Sequence, residues 1–539
     1  MSNLWNKANP CPQDFAQHVS QDGWIMGWHG CLFVPGHALG KFSAVKLLAS
    51  IIETGVEQGS LLGRGTFWIV LREPSGRLHH LVDPCGLQRI FFSDKAVFGS
   101  YSFGLKSLGI TLATCAEEGL VEFLNFGRFG AGFSHHPALR ALSGSDRLEI
   151  GPDGALKLFN RRLPALGFDP GQRPEEFFEG MATSLQSSKV SVDLTGGLDS
   201  RLIAGLLSYF GLRFETGLSG AQHYSEFARA EEVSARLDRR FRRYGHDLEQ
   251  ISEELRSQIR RSEGLVDVVG THRASLMQEA RRAEGFDLVI GGVGGENFND
   301  YTLVQDLPWI GRRQANLERF FDLRLNALQF PESLLEPPFA QAQNGFRERM
   351  LNRLQSYRAG RAVDTYLNIF YRHRVGPASA VQVSATQRLG MGHLMPLMDY
   401  QLFCFAYRMP LSDRVASAWH RRLIRSHAPL LAGMPSTSGI AAHPGSLGFL
   451  RDWSSYARNT AKRGLRKAEQ RLLKRAYPQE TPDNMDLRMC LRATPLAAEA
   501  FERVKAAGIL RADLTLSELP DFWLGKVVTL GLFGELLEA

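Results

Sequence analysis

Apolar and polar positions along the chain change their period near residue 165 and again near residue 190. Before 165 the apolar residues come in short β-branched and aromatic runs, Trp24–Val34, Gly65–Leu71 and Leu78–Val82, broken by turn residues such as Pro74-Ser75-Gly76. That pattern predicts antiparallel hairpins. Between 165 and 188, Pro170 and Pro174 mark a linker that passes into helical spacing through Phe178, Met181 and Leu185. Val190, Val192 and Leu194 then alternate as a strand, the chain turns polar at Thr195-Gly196-Gly197, and Leu202, Ile203, Leu206, Leu207 and Phe210 recur at helical spacing. A second strand is expected over Arg213–Leu218, a helix over Ser225–Leu237 and a third strand over Phe286–Ile290. Strands alternating with helices predict a parallel sheet with crossover helices, whose ligands sit at the carboxyl ends of the strands. The remainder reads as helical, and Leu510–Leu537 carries no motif.

At 539 residues the chain exceeds what one hydrophobic core serves, so two domains are expected, 1–165 and 166–539. A hydrophobic fraction of 44% with 22% charged residues is that of a globular protein. No apolar run approaches the roughly 20 residues that cross a bilayer. The opening Met1-Ser-Asn-Leu-Trp lacks the form of a signal peptide, and a cytosolic protein without a membrane span is expected. Cys11, Cys31, Cys85, Cys115, Cys404 and Cys490 show no C-x-x-C spacing, which argues against a zinc site or a disulfide framework. The net charge of +7 admits an anionic partner. Positive charge gathers over Arg451–Arg475, read either as a solvated helix face or as a docking surface for an acidic peptide or carrier. Nucleic acid is disfavoured there, because aromatic residues are not interleaved for stacking.

The polar hexapeptide Thr195-Gly196-Gly197-Leu198-Asp199-Ser200 sits between a strand and a helix N-terminus. Two glycines let the backbone approach an anion, the first-turn N–H groups point outward unpaired, and the helix dipole favours negative charge. Asp199 would repel a bare phosphate, which points to Mg²⁺ between them. The competing reading is an ordinary glycine turn. A second loop, Gly291-Gly-Val-Gly-Gly-Glu-Asn-Phe-Asn-Asp-Tyr301, has four glycines in five positions, best explained by close approach of backbone to ligand.

The hexapeptide resembles the pyrophosphate-binding loop, (Ser/Thr)-Gly-Gly-x-Asp-Ser, of the ATP pyrophosphatase superfamily, and lacks the Gly-Lys-(Ser/Thr) of a Walker loop. Gly63–Leu71, Asp83–Phe92 and Ser100–Leu108, and more loosely Leu120–Phe126 with Asp153-Gly154, resemble the glutaminase-type domain of asparagine synthetases. The resemblance implies an N-terminal Ntn-glutaminase-like antiparallel β-sandwich and a C-terminal adenine nucleotide α-hydrolase-like parallel-sheet domain with helical additions. It implies ATP and Mg²⁺ as cofactors. Thr195–Ser200 would hold the phosphates, with Gly292 from the second loop, and backbone groups at Leu194 and Leu218 would hold adenine. Asp199 and Glu296 would hold the metal, Glu296 falling where the family has aspartate. Such glutaminases need a cysteine after the initiator methionine, because its thiolate attacks and its α-amine moves the proton. Here Ser2 stands there, so the domain reads as degenerate.

A third block, Arg388–Asp399, matches the family at Gly390, Pro396 and Asp399, but the catalytic glutamate falls on Gly392 and the arginine on Leu394. The stretch Met434–Gly439 has no counterpart of the family lysine. Tyr301 and His393 are the remaining candidates for a catalytic base. Branches of the family without a working glutaminase include β-lactam synthetases and the macrolactam synthetases of lasso peptides. Adenylation of a carboxylate and attack by a substrate amine is the activity the resemblance implies, with ring closure of a lasso-type precursor peptide preferred and a precursor-processing protease as partner. A β-lactam-type reaction, ammonia-dependent amidation of a separate small-molecule acid and a non-catalytic nucleotide-binding scaffold stay open.

Overall fold

The computed structural model describes residues 2–539 apart from 131, 166, 168, 170, 172, 221–225, 246–249, 307–312, 444 and 474–481. Its first part builds β1 (Gln17–Gln21), β2 (Trp24–Phe33), β3 (Arg64–Arg72), β4 (Leu78–Val82), β5 (Phe91–Phe92), β6 (Val97–Phe98), β7 (Arg140–Ala141), β8 (Asp146–Ile150) and β9 (Leu156–Asn160). Among the described residues these form a six-stranded antiparallel sheet, β1-β2-β3-β4-β8-β9, and a small sheet, β6-β5-β7. Two-residue alternation explains the layering. Met26, Trp28, Ile69 and Leu71 face Leu47, Leu48 and Ile51 of α1 (Lys41–Thr54). Trp68, Val70, Val82 and Leu148 face Ile90, Phe92, Val97 and Leu142 at the small sheet. Each such side chain contributes roughly 1.5–3 kcal/mol by leaving water. The next helix along the chain used below is α2 (Glu117–Phe126).

The second part alternates α3 (Pro174–Ser184), β10 (Val190–Asp193), α4 (Leu198–Tyr209), β11 (Phe214–Ser219), α5 (Glu226–Arg236), β12 (Phe241–Tyr244), α6 (Ile251–Ser262), α7 (Val268–Ala283), β13 (Leu288–Ile290), α8 (Gly376–Arg388) and β14 (Gly392–Leu394). The sheet is parallel in the order β12-β11-β10-β13-β14. From β10 the chain steps outward twice and then returns to the other side of β10 at β13. Strand order therefore reverses between β10 and β13, the crevice where open α/β sheets bind ligands.

Two strands depart from the sequence expectation. β12 carries Arg242 and Arg243 and lies at the sheet edge, where Arg242 pairs with Glu215 at 2.5 Å and Glu284 at 3.1 Å. Charge on an edge strand blocks unwanted pairing and hides the strand from a hydrophobicity reading. β14 is three residues long inside a stretch expected to be helical, too short for any period to register. Four later helices matter below: α9 (Ala418–His427), α10 (Gly445–Leu473), α11 (Pro495–Ala506) and α12 (Asp521–Glu538). Helix α12 is buried on every side from Trp523 to Gly534, which is why its stretch shows no amphipathic signal. It packs on α11 and joins a core that also holds Phe91, Tyr101 and Leu120–Phe126 of the first part. The three sheets are separate among the described residues; the largest core is shared by both parts. No helix among the described residues is long and apolar enough to cross a membrane.

Glu263 ties the two parts together. It is 3% exposed and accepts from Tyr101 N at 3.0 Å, Ser102 N at 3.2 Å and Ser102 Oγ at 2.9 Å, with Ser100 Oγ also donating. Its other pairing is with Arg388 of α8 at 2.5 Å. Glu263→Ala leaves a half-buried guanidinium unpaired and is expected to destabilise the fold by about 3–5 kcal/mol, read as a lower urea midpoint. An unchanged midpoint would show that the joint carries no stability.

Candidate active site

Strand β10 ends at Asp193, whose carboxylate pairs with buried Arg281 at 2.6 Å. Leu194 N donates to Gly217 O at 3.0 Å, so the ladder to β11 runs up to the loop. Leu194 and Leu218 are buried side by side in the core beneath it. The loop then folds on itself. Thr195 N donates to Ser200 Oγ at 3.0 Å, Gly197 N donates to Thr195 Oγ1 at 3.1 Å, and the two hydroxyls lie 3.1 Å apart. Gly197 begins α4 without a side-chain cap, and Leu198 anchors the first turn in the core. Its N–H groups are left for an anion.

Three groups sequence reasoning missed surround this loop. Arg201 is fully buried and binds Gly196 O at 3.5 Å and Pro435 O at 3.3 Å, with Met434 O also accepting from it; burial pushes its guanidinium down to about 10. Thr437 N donates to Gly196 O at 3.0 Å. The lysine-free stretch Met434–Gly439 is thus docked on the loop. A Cβ at Gly196 would fall 2.4 Å from the Thr437 methyl and 3.3 Å from Arg229 Cγ, so the aliphatic stem of that α5 residue lies on the loop while its guanidinium pairs with Glu232 at 2.8 Å. Gly196 N meets the Glu226 carboxylate at 3.4 Å, and burial raises the pKa of that carboxyl. No spacing in the sequence singles out Arg201, Arg229 or Glu226.

The second loop leaves β13 directly alongside. A Cβ at Gly292 would lie 3.1 Å from Ser200 Cβ, a tight approach, and one at Gly295 only 1.9 Å from Asp199 Cγ, so it is Gly295 that lets the two loops touch. Asp199 lies in the first turn of α4 and Glu296 follows Gly295. Burial, and then the negative charge of Asp199, raise the Glu296 carboxyl above its usual range. The charge of Arg374 acts in the opposite direction. Buried His420 of α9 places Nε2 2.9 Å from Asp199 Oδ1, a contact of position and charge rather than an aligned hydrogen bond.

Two carboxylates crowded into one half-dry crevice are unfavourable until a cation joins them. No cluster of three or more His, Cys, Asp or Glu side chains that could hold a metal occurs among the described residues. Mg²⁺ is commonly held by one or two carboxylates together with substrate phosphates, so the hard oxygen pair of Asp199 and Glu296 beside a phosphate loop fits that ion.

The structure places the two candidate bases differently. His393 lies on β14 in register with Val289 and Ser191, fully buried, with Nδ1 3.1 Å from Thr386 Oγ1. Burial pushes its imidazole down to about 4, so it is neutral, and its Nε2 has no hydrogen-bond partner. That nitrogen sits 3.2 Å from where a Gly291 Cβ would be, under the start of the second loop. Tyr301 ends that loop. Arg324 stacks 4.2 Å over its ring, Arg463 of α10 lies 6.0 Å away and Phe370 packs at 5.9 Å. Lys467, one turn along α10, is pushed down to about 8 by burial and by Arg324 and Arg374. Lys467 is thus partly buried, while Arg451, Arg458, Lys462, Arg463 and Arg466 are exposed. At Gly392, a Cβ would fall 2.2 Å from Cys31 Sγ and 2.6 Å from Leu288 Cδ1. No glutamate fits there.

A parallel sheet whose order reverses beneath a glycine-rich anion loop, with two acids across the crevice, defines an α/β nucleotide-binding domain. Residues 182–431 match the model of the asparagine synthase family, a span that runs from the end of α3 through β14 and α9. The match supports membership of that domain in the asparagine synthetase-like superfamily, and with it an ATP-dependent, amide-forming ligase. No curated protein matches the chain.

The raised Glu296 pKa fixes a sign. The stability associated with its neutral form is present below the ordinary carboxylate range and is lost as pH rises through the raised value. Glu296→Gln is therefore expected to raise the melting temperature of the metal-free protein at neutral pH and to remove the further rise that Mg²⁺ with ATP gives the native protein. Melting curves across pH with and without Mg²⁺ read both; a variant less stable than the native protein without metal would contradict the crowding of the two acids.

Proposed function

We propose that the protein adenylates a substrate carboxylate with Mg-ATP, releases pyrophosphate and joins the acyl group to a substrate amine. The single observation that carries this reading is the meeting of Asp199 and Glu296 over an anion loop at the strand-order switch. The first-turn N–H groups of α4, from Leu198 onward, and the α4 dipole would hold the phosphates. Asp199 and Glu296 would hold Mg²⁺, which supplies charge neutralisation for the departing pyrophosphate. His420 Nε2 lies 2.9 Å from the Asp199 carboxylate, beside the place the ion would take. A carboxylate oxygen of the substrate bonds to the α-phosphorus as the bond to pyrophosphate breaks. The amine nitrogen then bonds to the acyl carbon, AMP leaves, and the amine proton passes to a base.

Tyr301, at the end of the second loop with Arg324 stacked over its ring, and His393, a neutral imidazole with an unpartnered Nε2, are the two candidate bases. The crowding at Gly392 speaks against the glutamate of a β-lactam-type dyad. With Ser2 in place of the glutaminase cysteine, the nucleophile is an amine of the substrate or free ammonia. Macrolactam closure of a lasso-type peptide is the preferred reaction, in which positioning of the chain end against the adenylate supplies much of the rate. A protease that exposes the amine would act before it in the same cytosol.

Asp199→Ala is expected to lower ATP–pyrophosphate exchange by at least about 10²-fold, the scale on which one stabilising group of a transition state acts. Near-normal exchange would reject the reading. Mass spectrometry separates the outcomes for a peptide substrate: loss of one water marks ring closure, replacement of a hydroxyl by an amino group marks amidation. Nucleotide binding without exchange by any carboxylate would leave a scaffold.

A further inference from the structure

Away from the nucleotide loop, α6, α7 and α8 enclose a cavity of about 240 Å³. Its wall is chiefly aliphatic, with Val266, Val293, Val375, Val381 and Leu389 among the lining residues. Val293 belongs to the second glycine-rich loop, so one end of the cavity lies against the candidate active site. The single guanidinium in the wall, Arg261, is committed to Glu279, to Ser275 Oγ at 2.9 Å and to Ser257 Oγ at 2.8 Å. Its charge is answered within the protein.

Three buried polar groups in the wall are not satisfied. Gln258, Ser262 and Gln278 are 4%, 3% and 2% exposed, yet Gln258 Oε1, Ser262 Oγ and Gln278 Nε2 have no hydrogen-bond partner. Their neighbours fix which atom each amide leaves over. Gln258 Nε2 donates to Thr271 Oγ1 at 2.7 Å, which leaves the carbonyl oxygen. Gln278 Oε1 accepts from Arg281 at 3.3 Å, which leaves the amino group. A buried polar atom without a partner costs about 1–3 kcal/mol, so an acceptor and a donor left unpaired on residues that line one apolar cavity favour an occupant that can reach both.

We infer that this cavity receives one uncharged, aliphatic residue of the substrate together with its peptide unit, the peptide N–H donating to Gln258 Oε1 and the peptide carbonyl accepting from Gln278 Nε2. The inference rests on the ligase reading and gives it a substrate class, a neutral peptide-like segment. The volume suits a segment rather than a whole ligand, since drug-sized sites run from about 300 Å³ upward. A link to the chemistry exists, because Arg281 bonds Gln278 and also Asp193, the residue that ends β10 before the phosphate loop.

The probe is N-acetyl-leucine N-methylamide, followed by saturation-transfer NMR on the full-length protein, with Mg-ATP binding measured by calorimetry on the same samples. The leucine methyl groups are expected to receive magnetisation, while N-acetyl-glutamate N-methylamide binds at least about fivefold more weakly. Removing an amide N–H, in the N,N-dimethylamide, is expected to weaken binding about fivefold, one ordinary hydrogen bond. Ala378→Trp, which fills the cavity, and Gln278→Leu should each suppress the signal. Protein that binds Mg-ATP but gives no signal with the leucine probe, or equal signals with the glutamate probe, overturns the cavity assignment and leaves the ligase reading standing. A signal from the leucine probe in protein that ignores Mg-ATP supports the cavity and rejects the ligase reading.

Discussion

The structure depends on two acids being held where they repel. Asp199 arrives on the first turn of the helix after β10, and Glu296 on the loop after β13. Only the missing side chain at Gly295 lets the second loop close against the Asp199 carboxylate. Burial and that neighbouring charge disfavour the ionised form of Glu296, so the crevice is at its least stable when empty and fully charged. A fold keeps such an arrangement when a ligand resolves it, and a nucleotide phosphate with its divalent cation is the ligand whose chemistry matches both the acids and the N–H groups facing them.

Around this point the molecule supplies support from distant parts of the chain. Arg201 and Thr437 lash the glycine-rich loop to the segment 434–439, and His420 of α9 lies 2.9 Å from the Asp199 carboxylate. The antiparallel sheets of the first part contribute no side chain to the loop contacts described, but Thr66 Oγ1 donates to His393 O at 2.6 Å and Gln387 Nε2 to Thr66 O at 3.0 Å. The first part thereby braces β14 and α8. The shared core built on α12 and the Glu263 joint do the same at the other side.

Much of this was legible in the sequence, for physical reasons that can be named. β3 and β4 announced themselves through two-residue alternation, and β10 with α4 through an abrupt change of period at a glycine pair. The hexapeptide specified the turn between strand and helix, because its glycines and small hydroxyls let the loop fold on itself. β12 was hidden by its arginines, which suit an edge strand, and β14 by being three residues long. The burial of α12 was hidden by the uniformity of its apolar residues. His420 and Arg201 were illegible for a different cause: a histidine or arginine on a helix looks alike in sequence whether it meets water, a carboxylate 221 residues away or a backbone carbonyl 233 residues away, and only the packing of α9 and α4 decides. Gly392 was noted as the loss of a glutamate; the structure adds that Cys31 and Leu288 leave no room for one.

The central claim is that Asp199 and Glu296 share one divalent ion with the phosphates of a bound nucleotide. Anomalous diffraction from crystals grown with Mn²⁺ and α,β-methylene-ATP tests it most directly. A manganese peak between the two carboxylates, with the triphosphate lying along Thr195–Ser200, is the result expected. A nucleotide bound elsewhere, or a loop that still holds Glu226 against Gly196 with no metal between the acids, would contradict it.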